Sequence, residues 1–182
     1  MTGSTLVVCR DSAGVASEAP WDLVVARAAH AVEVIDLDSK TMEPWLNGPQ
    51  SPDATHVVLG IGPGAELAHR LALRLPTTLR LVVADAGAPV PGLGSDGCAD
   101  SAAAGTASAI PIAAISSAPP DAPSTVAMTA WRHRTTAVFE IRTLPDWRSR
   151  PDAFLLACLR HLHEAGVLAG PDDAGFLLGL RP

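Results

Sequence analysis

Apolar and polar positions along the chain change period several times, and each change marks an element. Thr5-Leu-Val-Val-Cys-Arg10 is a short apolar run of strand length, and Val32-Glu-Val-Ile-Asp-Leu-Asp38 alternates with period two, so both predict strands. Between them Leu23, Val24, Ala26 and Ala29 recur with helical spacing, which predicts a helix over Trp21–His30. Residues 39–54 hold Pro44, Gly48, Pro49 and Pro52 and predict a loop with room for one helical turn. His56-Val-Val-Leu-Gly60 is almost wholly apolar, as a strand buried on both faces must be. A helix over Ala65–Leu75, closed by Pro76, and a fourth strand over Leu79–Asp85 follow.

Residues 86–108 are rich in Gly, Ala, Ser and Pro without periodicity and predict a flexible loop. Further strands are expected at Ile110–Ile115, Val126–Trp131 and Thr136–Ile141. A last helix is expected over Pro151–Ala165, with Phe154, Leu155, Cys158, Leu159 and Leu162 on one face. Strands alternating with helices imply an α/β fold, a mostly parallel sheet flanked by helices. No internal repeat or second domain shows, so residues 1–182 are expected to form one domain.

Composition narrows the function. Hydrophobic residues make up 48% and charged ones 18%, which suits a folded core. No apolar run nears the ~20 residues needed to cross a bilayer, and the N-terminus has no basic region before its apolar stretch. The expected setting is the cytoplasm, away from membranes. The net charge of −6 argues against nucleic acid as a partner. Residues 130–165 depart from that balance. Six arginines (Arg132, Arg134, Arg142, Arg148, Arg150, Arg160) face four carboxylates there, so the segment carries +2 and the rest −8. That is either a docking face for an acidic partner or a solvated surface with scattered ion pairs. Cys9, Cys98 and Cys158 are odd in number and widely spaced, so neither disulfides nor a metal site is expected, and Cys9 and Cys158 suit the core. His161 and His163 lie two apart on the expected helix and point to different faces, which gives no metal pair. Trp21, Trp45, Trp131 and Trp147 suit either the core or the wall of an apolar ligand cleft.

The chemistry centres on a strand, a glycine-rich turn and a helix at 56–75. Gly60, Gly62 and Gly64 free the backbone for positive φ and close helix–strand packing. A plain turn without a ligand is one reading. A second is a nucleophile elbow, Gly-x-Ser-x-Gly, with both outer glycines present and Gly62 at the serine position. Around that turn the chain resembles the α/β-hydrolases of the chain-releasing thioesterase type. Ala65-Glu-Leu-Ala-His-Arg-Leu-Ala resembles the helix after their elbow, Leu81-Val-Val-Ala-Asp85-Ala their next strand, and residues 5–38 their opening strand, helix and strand. The resemblance spans about residues 5–90.

That resemblance implies a reduced hydrolase-like architecture with little or no lid, the lid shrunk to residues 86–108 at most. It implies Asp85 as the acid of a triad. It places the catalytic histidine after the strand ending near Ile141, where the chain reads Thr143-Leu-Pro-Asp-Trp147. His133 is the candidate substitute, since His56 precedes the turn and His69 lies within the helix. Ser12 and Cys9, after the first strand, stand where hydrolases place an oxyanion-hole loop. Backbone N–H groups around Gly64 and Ala65 are candidate donors to an anion, although Pro63 supplies none.

Two cofactor readings stay open. Gly60-x-Gly62-x-x-Ala65 fits a dinucleotide fingerprint with Asp85 near the ribose position, but the turn follows the third strand rather than the first. Gly60-Ile-Gly-Pro-Gly64 with Val82-Val-Ala-Asp85 resembles the first two motifs of S-adenosylmethionine-dependent methyltransferases, with Val58 where that family carries an acid. The favoured expectation is a thioesterase-like protein without a working Ser-His pair that needs no cofactor. It would bind or scaffold in polyketide or peptide biosynthesis, docking an acyl-carrier protein or a biosynthetic enzyme. The alternative is a non-covalent cyclase, isomerase or dehydratase with Asp85 and His133 as acid–base groups and Gly60, Gly62, Gly64 and Trp131 around the ligand. Homo-oligomerisation is left open.

Overall fold

The computed structural model describes residues 4–9, 33–38, 40–49, 54–88, 107–118, 123–144, 157 and 160. They form a six-stranded, all-parallel sheet, β1 (Ser4–Cys9), β2 (Glu33–Leu37), β3 (Thr55–Ile61), β4 (Thr78–Ala84), β5 (Ile112–Ser116) and β6 (Phe139–Thr143), in the spatial order β2-β1-β3-β4-β5-β6. The helices are α1 (Met42–Leu46), α2 (Gly64–Arg74) and α3 (Pro123–Met128), which runs into a 3₁₀ helix at Thr129–Arg134. The α/β expectation, a mostly parallel sheet with flanking helices, is what the chain adopts.

The inner strands are apolar along their length because both faces are covered. Val7, Val58, Leu81, Val83, Ile112 and Ala114 point to one face and pack with Ala65, Ala68, Leu71 and Ala72 of α2 and with Met128 and Trp131. The opposite pleat positions, Leu6, Val8, Val57, Leu59, Val82, Ala113 and Ile115, are equally buried. Helix α2 lies over β1, β3 and β4. Its Arg74 pairs with Glu43 of α1, fastening the two helices at the surface. At the entrance to α1, Asp38 accepts from the backbone N–H groups of Lys40 and Thr41 at 2.9 and 2.8 Å. This Asx-type turn lets the chain leave β2 abruptly.

One predicted strand is corrected: Val126–Trp131 is helical, not extended. Strand formers Val126 and Thr129 suggest β structure, but both are exposed. The buried positions are Thr125, Met128, Trp131 and Arg134. They recur every third residue, the period of a 3₁₀ or distorted α-helix and not of a strand. Pro123 opens the segment, where its fixed φ suits a first helical residue. The last strand also lies later than the predicted Thr136–Ile141. Thr135 forms an isolated parallel bridge with Ser108, and the continuous strand begins at Phe139. The expected helix at 21–30 lies outside the described residues, as does the expected loop at 86–108 apart from residues 86–88 and 107–108, and of the expected helix at 151–165 residues 157 and 160 are described, both helical.

Candidate functional site

The sheet order reverses at β1: the chain goes outward from β1 to β2, then returns to the other side of β1 as β3. Open α/β sheets take their ligands in the crevice beyond the carboxyl ends of the strands at such a switch point. Cys9 ends β1 beside Gly60 of β3 in register, so the glycine turn sits at that crevice.

Each residue of the turn has a separate job. A Cβ on Gly60 would lie 2.6 Å from Ala65 Cα, 2.6 Å from Ala68 Cβ and 2.7 Å from Gly64 O. Gly60 is therefore the point where α2 rests directly on β3, a packing role that takes no ligand. Gly62 has φ +46 and nothing within 4 Å of where a Cβ would stand, so the corner is left-handed and open. Its N–H donates to Ala84 O of β4 at 2.8 Å, and its carbonyl accepts from Ala65 N–H at 3.1 Å. Pro63 then enters the helix at φ −59, ψ −30, and Gly64, buried, is the first helical residue.

Asp85 follows Ala84 at the carboxyl end of β4, so the Gly62–Ala84 hydrogen bond brings the expected acid and the glycine turn together. Asp85 also has positive φ, +48, a conformation that Asp tolerates better than most residues. Its carboxylate accepts from Ser117 N–H at 2.6 Å, and its own N–H donates to Ile115 O at 2.9 Å. Two left-handed residues thus stand on neighbouring strand ends. Beyond them, Ser116 and Thr125 share a buried hydroxyl–hydroxyl hydrogen bond of 2.7 Å that ties the exit of β5 to α3.

The histidines are placed elsewhere. His56 sits near the start of β3, hydrogen-bonded through Nδ1 to Thr77 Oγ1 at 3.0 Å. Five residues separate it from Ile61, about 17 Å at the rise of a strand, so it belongs to the opposite end of the sheet. His69 is buried on α2 and meets Trp131 edge-to-face with ring centroids 5.4 Å apart. Burial, helped by the positive charge of Arg134, pushes its imidazole down to about 4. Its Nε2 has no hydrogen-bond partner among the described residues. His133 is exposed: the 3₁₀ helix turns Trp131 and Arg134 inward and presents Arg132 and His133 to solvent.

Trp131 is a core residue with no exposed surface, not the wall of an open cleft. Its indole N–H donates to Ala86 O at 2.8 Å, just past Asp85. Sequence reasoning missed this His69–Trp131–Arg134 cluster, which tertiary burial assembles from two separate helices. The residues around Ser12 and residues 145–156, which include the place where the family histidine is expected, lie outside the described residues. Among the described residues no group of three or more His, Cys, Asp or Glu side chains is placed to hold a metal ion. No described helix is long and apolar enough to cross a membrane.

No protein-family model matches the chain, and no curated protein does. Solved structures do match. The type II thioesterase BorB from the borrelidin biosynthetic cluster superposes with a TM-score of 0.64 at 18% identity, over 89% of this chain and 92% of that one. The thioesterase RedJ from the prodiginine biosynthetic pathway in Streptomyces coelicolor gives 0.58 at 18% identity, over 90% of this chain and 86% of its own. RedJ with a PEG molecule bound in its active site gives 0.57 at 19% identity, over 85% and 92%. Over most of its length this chain has the α/β fold of these thioesterases.

Proposed function

We propose that this chain is a degenerate thioesterase-like protein that binds an acyl group or its carrier without cleaving it. Gly62 stands where the nucleophile of such an elbow would be, and glycine has nothing to attack with. The observation that carries this reading is the corner itself. It keeps the strand–turn–helix geometry, the left-handed φ and open space beside Gly62, while its side chain and the N–H of the next residue are both absent. Triad chemistry needs a nucleophile, a base beside it and an acid to orient the base. Asp85 lies at the end of β4 beside the turn, but its carboxylate holds the β5 exit through Ser117, and His133 points outward. The dinucleotide reading is weakened by the turn following β3 rather than the first strand. The same argument weakens the methyltransferase reading.

The setting this suggests is natural-product biosynthesis, where the structural neighbours BorB and RedJ come from. The partner would be an acidic acyl-carrier protein. Of the arginines at 130–165, Arg134 is buried and Arg142 lies 3.9 Å from Glu140. Among the described residues of that segment, exposed Arg132 offers docking charge. Titrating labelled chain with an octanoylated acyl-carrier protein should give saturable binding that weakens as salt rises, because exposed charges are screened. Arg132→Glu should weaken it about threefold to tenfold, the scale of one exposed charge pair reversed. Binding that ignores both salt and Arg132→Glu removes this face from the account.

A further inference from the structure

Strand β6 reads Phe139-Glu-Ile-Arg-Thr143 and is the last strand of the described sheet. Ile112 N–H donates to Val138 O at 2.9 Å and Leu144 N–H to Ser116 O at 2.7 Å. The direction of the backbone groups alternates along a strand, so those of Val138, Glu140, Arg142 and Leu144 turn toward β5. The N–H and C=O groups of Phe139, Ile141 and Thr143 therefore turn outward, and among the described residues no strand pairs with them. The side chains of Phe139 and Ile141 lean on the core, while Glu140 and Arg142 lie on the opposite face. There Glu140 accepts from Arg80 of β4 at 3.1 Å, and Arg142 comes no nearer to Glu140 than 3.9 Å. An open edge invites pairing, which charges of one sign would block. These charges are of opposite sign and stand symmetrically about Ile141, and beside them Val138 is 66% exposed.

We propose that β6 is a self-association edge: a second copy of the chain pairs antiparallel with it about a two-fold axis through Ile141. A two-fold interface must be complementary to itself. In this register Ile141 meets the partner's Ile141 and Phe139 meets the partner's Thr143, so the outward-turned residues form the hydrogen-bonded pairs. Glu140 falls opposite the partner's Arg142 in the closer, non-hydrogen-bonded position, and symmetry makes that ion pair twice. Val138 falls opposite the partner's Leu144, so one apolar side chain covers the other. The far edge, β2 (Glu33–Leu37), offers no such match: a two-fold through Ile35 sets Val34 against the partner's Asp36 and Glu33 against the partner's Leu37. Pairing at β6 joins the copies into one continuous sheet. Because the partner's strands run the other way, the two Gly62 corners open at opposite ends of it. This holds whatever the corner binds.

The test is sedimentation velocity of the full chain up to about 100 µM, a range in which a modest interface saturates. The mass should rise to twice that of the monomer. Arg142→Glu sets a carboxylate opposite Glu140 on both sides of the axis and should weaken the dimer at least about tenfold. The same register is read by crosslinking. Ile141→Cys should give a reducible covalent dimer on mild oxidation, because hydrogen-bonded partners lie about 5.5 Å apart at Cα. Val138→Cys should not, since its two copies stand about 20 Å apart along the strands. Should Arg142→Glu fail to fold, the cysteine pair decides alone. A chain that stays monomeric throughout, a dimer indifferent to a folded Arg142→Glu, or crosslinking no better at 141 than at 138 overturns the proposal.

Discussion

At Gly60 the absence of a side chain is what lets α2 lie on β3, so its substitution is felt as a clash between backbones. Gly60→Ala would force Ala65 and Ala68 away and should cost about 1–3 kcal/mol, read as a lowered urea midpoint with unchanged m. Asp85 poses a different problem, because its carboxylate and its left-handed φ act together. Asn shares the tolerance of that φ and keeps an oxygen for Ser117 N–H, so Asp85→Asn should change stability by less than about 1 kcal/mol. Asp85→Ala loses both features and should cost about 1–3 kcal/mol. Equal losses in the two variants, by chemical denaturation, would show that the charge and not the geometry matters there.

At the scale of elements, α2 and the 3₁₀ helix are joined through His69 and Trp131, and the burial of His69 there, beside the charge of Arg134, makes stability depend on pH. The folded imidazole is held at about 4, while the unfolded chain titrates near its ordinary 6.5. Above about pH 6.5 both states are neutral and the contact has its full value. As pH falls toward 4, the unfolded chain takes up a proton that the folded chain refuses, and stability is lost. The loss is on the order of 3 kcal/mol across that window. His69→Phe keeps the ring packing and should remove most of this slope, measured as denaturant midpoints at pH 7 and pH 4.5. A slope that survives the substitution belongs to other groups.

The strands and α2 were legible in the sequence because an apolar run bounded by Gly and Pro has few other readings. Val126–Trp131 was not, because its β-branched residues face solvent and tertiary burial of Met128 and Trp131 decided the segment. The glycine turn was legible as a turn. That Gly62 N–H reaches Ala84 O of β4, and that Trp131 is sealed into the core rather than lining a cleft, depends on contacts between distant segments that no local pattern records.

At the scale of the whole molecule, the parallel strands put the switch point, the open corner at Gly62 and Asp85 at one end of the sheet, and His56 at the other. The fold is that of the neighbouring thioesterases, and the proposed loss of chemistry centres on two adjacent residues, Gly62 and Pro63. Losing nucleophile and base together removes roughly 10⁶ in rate, and losing one oxyanion donor roughly a further 10²–10³. The most direct test is the hydrolysis of octanoyl-N-acetylcysteamine thioester by the purified chain and by Gly62→Ser, followed by free thiol release. The prediction is no rate above the uncatalysed reaction for either protein, since a restored hydroxyl has no histidine beside it among the described residues and no N–H at Pro63 to help it. Turnover by the unmodified chain, or its appearance with Gly62→Ser alone, would contradict the account and show that a working base stands within reach of the elbow.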